Sequence, residues 1–265
     1  MGKKSTIRTM IMTLALGGMV AACAKPTTGE SYEKECVLPS DQSGTLEGRW
    51  LNNPAPPISV AFRTGHFNNE EAAALVAAAS TWNDFYQSVN NLQLLNTGSG
   101  GVNTTSVNAA DFSCASNLST QGGAVPIYKY AASNAEGLGD TANSWPYDSE
   151  VIALTTYCPS AASPLDTFYN AVIEINYKNF FYAGRVPDLE SIFVHEFGHL
   201  IGVNHSCEGT ASSGVPKCST GLDVNYLSAV MFPAVQFSGN TGIPRRSLNS
   251  NDQGRANCLY SDLLN

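Results

Sequence analysis

The sequence predicts an α+β domain in which helices pack on a mixed sheet. Five segments have strand-like alternation or a β-branched and aromatic composition, three read as helices at capping residues or by apolar spacing, and no internal repeat or second composition regime appears along the 265 residues. Composition narrows the class further. With 43% hydrophobic and 14% charged residues, collagen-like, coiled-coil and wholly disordered chains are excluded. Lys and Arg number 14 against 22 for Asp and Glu, a net charge of −8, so a phosphate backbone is a poor partner and no nucleic acid is expected.

Taken in order, the first 22 residues read as an export signal. Lys3, Lys4 and Arg8 form a basic start and Ile11 to Val20 an apolar run too short to span a bilayer as a helix. Val20-Ala21-Ala22-Cys23 resembles a bacterial lipobox. That resemblance implies a mature chain of charge −11 that starts at a lipidated Cys23, anchored in the envelope, with Ala24 favouring the outer membrane or cell surface over the inner membrane. An ordinary signal with Cys23 left as a plain cysteine is the alternative. Residues 23–57 are polar and broken by Pro26, Pro39, Pro54, Pro56 and Pro57, which predicts a tether ahead of a folded domain over 58–265.

Ile58 to Phe62 alternates apolar and small residues and reads as a strand. Asn68 followed by Glu71 forms a capping box, and Leu75, Ala79, Trp82 and Tyr86 then recur at helical spacing as a core stripe. Leu92 to Leu95 is a strand candidate, and Thr97 to Thr105 is rich enough in Gly, Ser, Thr and Asn to be loop. Ala124 to Tyr130, Val151 to Tyr157 and Ala171 to Tyr177 are further strands. Asp188 caps a helix running to about Gly202, and Ser250 to Tyr260 closes the domain as another.

Without Cys23, six cysteines remain: Cys36, Cys114, Cys158, Cys207, Cys218 and Cys258. An even number in an exported chain lacking any CxxC pair predicts three disulfides. Six cysteines allow 15 connectivities and sequence alone does not choose among them. The expectation adopted is Cys207 with Cys218 as a local clamp, Cys114 with Cys158 across the middle, and Cys36 with Cys258 joining the ends.

The chemistry is concentrated in His195-Glu196-Phe197-Gly198-His199-Leu200-Ile201-Gly202-Val203-Asn204-His205. Four helical residues turn through about 400°, so His195 and His199 project from one face a turn apart, as two ligands of one ion require. Glu196 lies about 100° round, beside the ion, where it can hold a water. Gly202 supplies the positive φ that ends the helix and lets His205 return as a third nitrogen ligand. Three ligands leave a fourth position open, which marks catalytic zinc; structural zinc sites are closed.

This segment resembles the metzincin metalloproteases, whose HExxHxxGxxH pattern it matches in full. The matrixin branch is resembled most: Ser206 follows the third histidine, Ala229-Val230-Met231-Phe232-Pro233 is similar to the Met-turn, Leu248 to Tyr260 with Asp252 to the helix that buttresses it, and Trp82 to a first-helix tryptophan. The resemblance implies a metzincin-like catalytic domain: a mixed five-stranded sheet, an active-site helix, a Met-turn and a C-terminal helix, with a cleft between an upper and a smaller lower part. Met231 would form an apolar floor without ligating the ion. With Pro233 two residues on, no fifth tyrosine ligand is expected.

Other implications follow residue by residue. His66 is the one histidine outside the motif, so no structural zinc is expected and His66 is expected to be a surface or capping residue. Cys36, Pro39 and Asp41 echo the family's latency device only faintly, and cysteine parity puts Cys36 in a disulfide. For Ca2+ the sequence offers no support, since Asp140, Asp148 and Asp166 form no EF-hand pattern. The expected protein is a monomeric zinc endopeptidase with one catalytic Zn2+ held by His195, His199 and His205 and Glu196 as general base. Its protein or peptide substrate would lie by strand addition along a rim near Gly137 to Ala142, touching Leu138 and Gly139. The alternative is a zinc-containing, lipid-anchored binding or adhesion protein without turnover. Sequence does not supply the natural substrate.

Overall fold

The first long helix shows how the sequence fixes its own ends. Asn68 accepts the Glu71 N–H at 2.9 Å while Glu71 accepts the Asn68 N–H at 2.8 Å, and Asn91 at φ 50° stops the helix. A computed structural model describes Cys36 and residues 38–261 other than 52–53, 99–100, 102, 106–111, 131–144, 163–164, 183 and 220. The expected signal, the lipobox with Cys23, and the rim with Leu138 and Gly139 lie outside the described residues.

Helix α1 (Asn69–Asn90) buries Leu75, Ala79, Trp82, Phe85 and Tyr86 and packs against helix α3 (Leu189–Ile201), in which Phe193, Val194, Phe197 and Leu200 are buried. Each Leu, Val or Phe among them contributes about 1.5–3 kcal/mol on burial. A hydrogen bond of 2.8 Å from Trp82 Nε1 to the Val194 carbonyl fixes the register of the two helices. Asp188 caps α3 by accepting the Ser191 N–H at 2.9 Å. Helix α2 (Tyr177–Phe180) and helix α4 (Val224–Leu227) are single turns, and helix α5 (Ser250–Tyr260) is capped by Asn249.

The sheet corrects the expected strand count. Seven strands take part: β1 (Gly48–Arg49), β2 (Ile58–Arg63), β3 (Leu95–Asn96), β4 (Asn103–Thr105), β5 (Val125–Lys129), β6 (Ala153–Ser160) and β7 (Asp166–Ile175). They fill five ranks. β3 and β4 lie end to end on one side of β2 with β5 on its other side; β7 takes β5 and β1 on one side and β6 on the other. All pairings are parallel except β6 with β7, so the sheet is mixed. Residues 103–105, read as loop from their polar composition, become a strand because the adjacent edge of β2 supplies ladder partners. Conversely, 92–94 remain irregular and only Leu95 of that candidate enters the sheet.

The tether boundary also changes. Residues 38–51 pack into the fold: Ser40–Gln42 form a 3-10 turn, and Gln42, Thr45, Arg49 and Trp50 are buried. Trp50 Nε1 donates to the Leu200 carbonyl at 2.7 Å and Arg49 Nη1 to the Leu259 carbonyl at 2.8 Å. Prolines and polar residues give this strap no periodic signal, yet Gln42, Arg49 and Trp50 each make hydrogen bonds to partners 150 and more residues away. The strap is joined to α5 by the Cys36–Cys258 disulfide, and Cys114–Cys158 and Cys207–Cys218 are also bonded. His66 is buried, not a surface residue: it ends the tight turn after β2, where its N–H donates to the Arg63 carbonyl at 3.2 Å.

Candidate active site

Gly202 governs how the site is assembled. At φ 109° it ends α3 in the left-handed region, and a Cβ there would fall 1.8 Å from the Gly48 carbonyl oxygen of β1. Only glycine permits both the turn and the approach of the strap. Beyond it the chain runs antiparallel to the strap: Glu47 N–H donates to the Gly202 carbonyl at 2.9 Å and Asn204 N–H to the Thr45 carbonyl at 2.8 Å. Gln42 Nε2 adds a 2.9 Å bond to the Ser206 carbonyl. His205 is thereby brought back over the face that carries His195 and His199.

The three imidazoles converge. Their ligand atoms lie within 4.8 Å of one another, and His195 Nε2 stands 3.1 Å from His199 Nε2. Two rings have polar partners behind them: His195 Nδ1 donates to the Val230 carbonyl at 2.8 Å and His205 Nδ1 faces Glu208 Oε1 at 3.2 Å. Burial, aided by mutual repulsion and nearby arginines, lowers the His195 pKa to about 3 and that of His205 to about 4, and pushes His199 down as well. The rings are therefore neutral near pH 7. With its Nδ1 donating to the Val230 carbonyl, His195 turns a nitrogen lone pair towards His199 Nε2 at 3.1 Å, a place where a cation can be held. Zinc–nitrogen bonds of about 2.0–2.1 Å in a tetrahedron would set such atoms roughly 3.3 Å apart. The donor set fits a metal ion.

Glu196, one residue from His195, is 4% exposed and its pKa is raised to about 7 by burial. Opposing that shift, Thr155 Oγ1 on β6 donates to Glu196 Oε2 at 2.7 Å. Thr155 was not among the residues the sequence pointed to. As a β-branched residue in a strand it carries no signal until the fold sets it against α3.

Below the histidines, Met231 is fully buried, and a Cβ on Gly198 would come within 2.1 Å of its sulfur. Asp252 on α5 accepts the N–H groups of Val230 at 2.9 Å and Met231 at 3.2 Å, which fixes the turn beneath the site. Ser206, also buried, donates to the Tyr226 carbonyl at 2.7 Å.

The site opens into a cavity of about 570 Å³. Ala153, Leu154, Thr155 and Tyr157 of β6 line one side, residues 232–237 another, and His195, Glu196, His199 and His205 the floor. Among the described residues, β6 is paired on one side only, with β7, so a strand edge borders the cavity.

No family model matches the chain. Over 125 residues the chain is 30% identical to Metalloendoproteinase 2-MMP of Arabidopsis thaliana, a stretch covering 44% of this chain and 33% of that protein. The chain thus spans about a third of the length of that curated relative. This likeness and the histidine triad together support a metzincin-like protease and suggest that the triad holds a metal ion.

Proposed function

We propose that the chain is a zinc-dependent endopeptidase acting on protein substrates. The observation that carries this reading is the convergence of three neutral imidazole nitrogens beside a buried carboxylate, in a cavity bordered by a strand edge. The donor set of His195, His199 and His205 suits zinc, which when bound acidifies water and polarises a carbonyl. Glu196 takes the proton as the water oxygen attacks the peptide carbon, then delivers it to the departing amine nitrogen as the C–N bond breaks. A carboxylate whose pKa is raised by burial does both near neutral pH. The edge of β6 that has no partner strand among the described residues offers backbone groups to an extended peptide.

The test separates base from ligand. Glu196→Ala is expected to abolish peptide hydrolysis while keeping about one zinc per chain; His199→Ala is expected to lose both. Wild-type rates in Glu196→Ala would overturn the mechanism. A zinc-loaded wild type that cleaves nothing in a broad peptide library would replace it with the binding-protein reading.

The same proposal places the domain outside the cytoplasm, as a monomer held by a lipid on Cys23. The basic and apolar run ahead of Cys23 and the three disulfides support it. Intact-mass measurement of the mature chain, with Cys23→Ser as control, tests the anchor.

A further inference from the structure

Arg185 lies in the segment between α2 and α3, and its guanidinium carbon is 4.3 Å from the ring centre of Phe237 and 5.0 Å from that of Phe180. All three residues line the cavity that holds the histidines and Glu196. The backbone keeps the cation there. Arg185 N–H donates to the Tyr182 carbonyl at 2.9 Å. Its neighbour Val186 exchanges 2.9 Å bonds with Asn240 and Gly242, in the hairpin of β8 (Phe237–Ser238) and β9 (Thr241–Gly242) that carries Phe237.

A guanidinium stacked against rings keeps its in-plane N–H groups available for a carboxylate. Among the described residues no carboxylate pairs with Arg185, whereas Arg246 pairs with Asp188 at 2.5 Å and Glu190 at 2.9 Å. Two cavity acids are engaged elsewhere: Asp188 with Arg246, and Glu47 with Tyr157 and Asn204. Arg245, the other cation on the wall, directs its N–H groups to the carbonyls of Leu227 at 3.0 Å and Ala234 at 3.4 Å. Arg185 is thus a cation lining the cavity whose guanidinium has no hydrogen-bond partner among the described residues, in a chain where acids outnumber bases by 22 to 14.

We propose that Arg185 determines specificity by pairing with the carboxylate of an Asp or Glu side chain in the bound peptide, so the preferred substrates are acidic at one position. This rests on the reading of the cavity as a peptide site. A planar fork facing a carboxylate makes two parallel charge-assisted bonds, which an amide isostere cannot match.

The experiment uses acetylated, C-terminally amidated peptides in which each position in turn is Glu, Gln or Lys. Binding is measured to the metal-free Glu196→Ala protein by fluorescence anisotropy, and cleavage by the zinc-loaded wild type. At one position Glu is expected to bind about tenfold more tightly than Gln, with Lys weaker still. Arg185→Gln is expected to bring the Glu-to-Gln ratio near one, and Arg185→Glu to favour Lys, with melting temperatures confirming that both variants are folded. The proposal is overturned if no position discriminates, or if Arg185→Glu keeps the acidic preference. If only peptides with a free C-terminus gain, Arg185 reads a terminal carboxylate and the side-chain proposal falls. Acidic preference in binding without any cleavage would leave Arg185 in its role and remove the endopeptidase reading; cleavage without preference would do the reverse. If no peptide is bound or cleaved, both fall.

Discussion

Asp252 acts on the metal site through Val230. Its Oδ2 accepts the Val230 N–H at 2.9 Å, and the carbonyl of the same residue accepts His195 Nδ1 at 2.8 Å. A carboxylate on α5 thus sets the orientation of a histidine on α3 through one residue of the turn between them.

Asp252→Ala is therefore expected to weaken metal binding by about 10–100-fold, the usual consequence of losing support behind a ligand. It also leaves Arg255, fully buried at 3.5 Å, without its acid, which costs roughly 3–5 kcal/mol of stability. Competition against a chromophoric chelator and chemical denaturation measure the two effects. Unchanged metal affinity in a folded Asp252→Ala protein would disprove the relay.

Gly198→Ala sets helix propensity against packing. Alanine gains about 1 kcal/mol in a helix, but the new methyl would lie 2.1 Å from Met231 Sδ and 3.0 Å from the Trp82 ring, both fully buried. Overpacking is expected to win, with a net loss of about 1–3 kcal/mol. Met231→Leu in the same protein should restore part of that loss in thermal melts; a Gly198→Ala protein as stable as wild type would show that the turn yields freely.

The metal-free protein should have a stability maximum set by two opposing titrations. His195 and His205, with pKa lowered to about 3 and about 4, contribute stability that is present above pH 6.5 and is lost as pH falls towards those values. Glu196, raised from 4.5 to about 7, contributes stability that is present below 4.5 and is lost as pH rises through 7. Glu196→Gln should therefore match wild type at pH 4 and exceed it at pH 8 by roughly 2–4 kcal/mol. Thermal melts of the chelator-treated proteins across this range check both limbs, and parallel curves would refute the Glu196 assignment.

The strap depends on its disulfide. Replacing Cys36 and Cys258 together by Ser opens a loop with a sequence separation of 222 and is expected to cost about 2–5 kcal/mol. Limited proteolysis should then cut within residues 38–50 while the remaining fold persists. Resistance equal to wild type would mean that the hydrogen bonds of Gln42, Arg49 and Trp50 hold the strap alone.

What could be read from the sequence follows from the range of the interactions concerned. Asn68, Asp188 and Gly202 set helix ends through bonds within a few residues, so their roles were visible at once. The histidines and Glu196 were visible because helical spacing alone aligns two ligands. β4 was hidden because its polar residues become a strand only beside β2. The strap was hidden because Gln42, Arg49 and Trp50 find partners in residues 200–260. The helical period of α5 is blurred by buried Asn251, Asp252, Arg255 and Asn257, of which Asp252 and Arg255 serve distant backbone groups and Asn251 bonds to the Gln42 side chain. Thr155 and Arg185 acquire meaning only once the cavity has walls.

The meeting of strap, third-ligand loop and closing helix also imposes a timetable. His205 is placed by residues 42–47, and His195 is oriented by a turn that Asp252 must hold. A nascent chain that has just extruded all three histidines still lacks α5, so it has metal-binding side chains without their final arrangement. Contacts this far apart in sequence carry a loop-closure entropy that local contacts do not. The histidine site is consequently complete only when residues 42–47 and α5 are both in place, and a partly synthesised chain carries the motif without its arrangement.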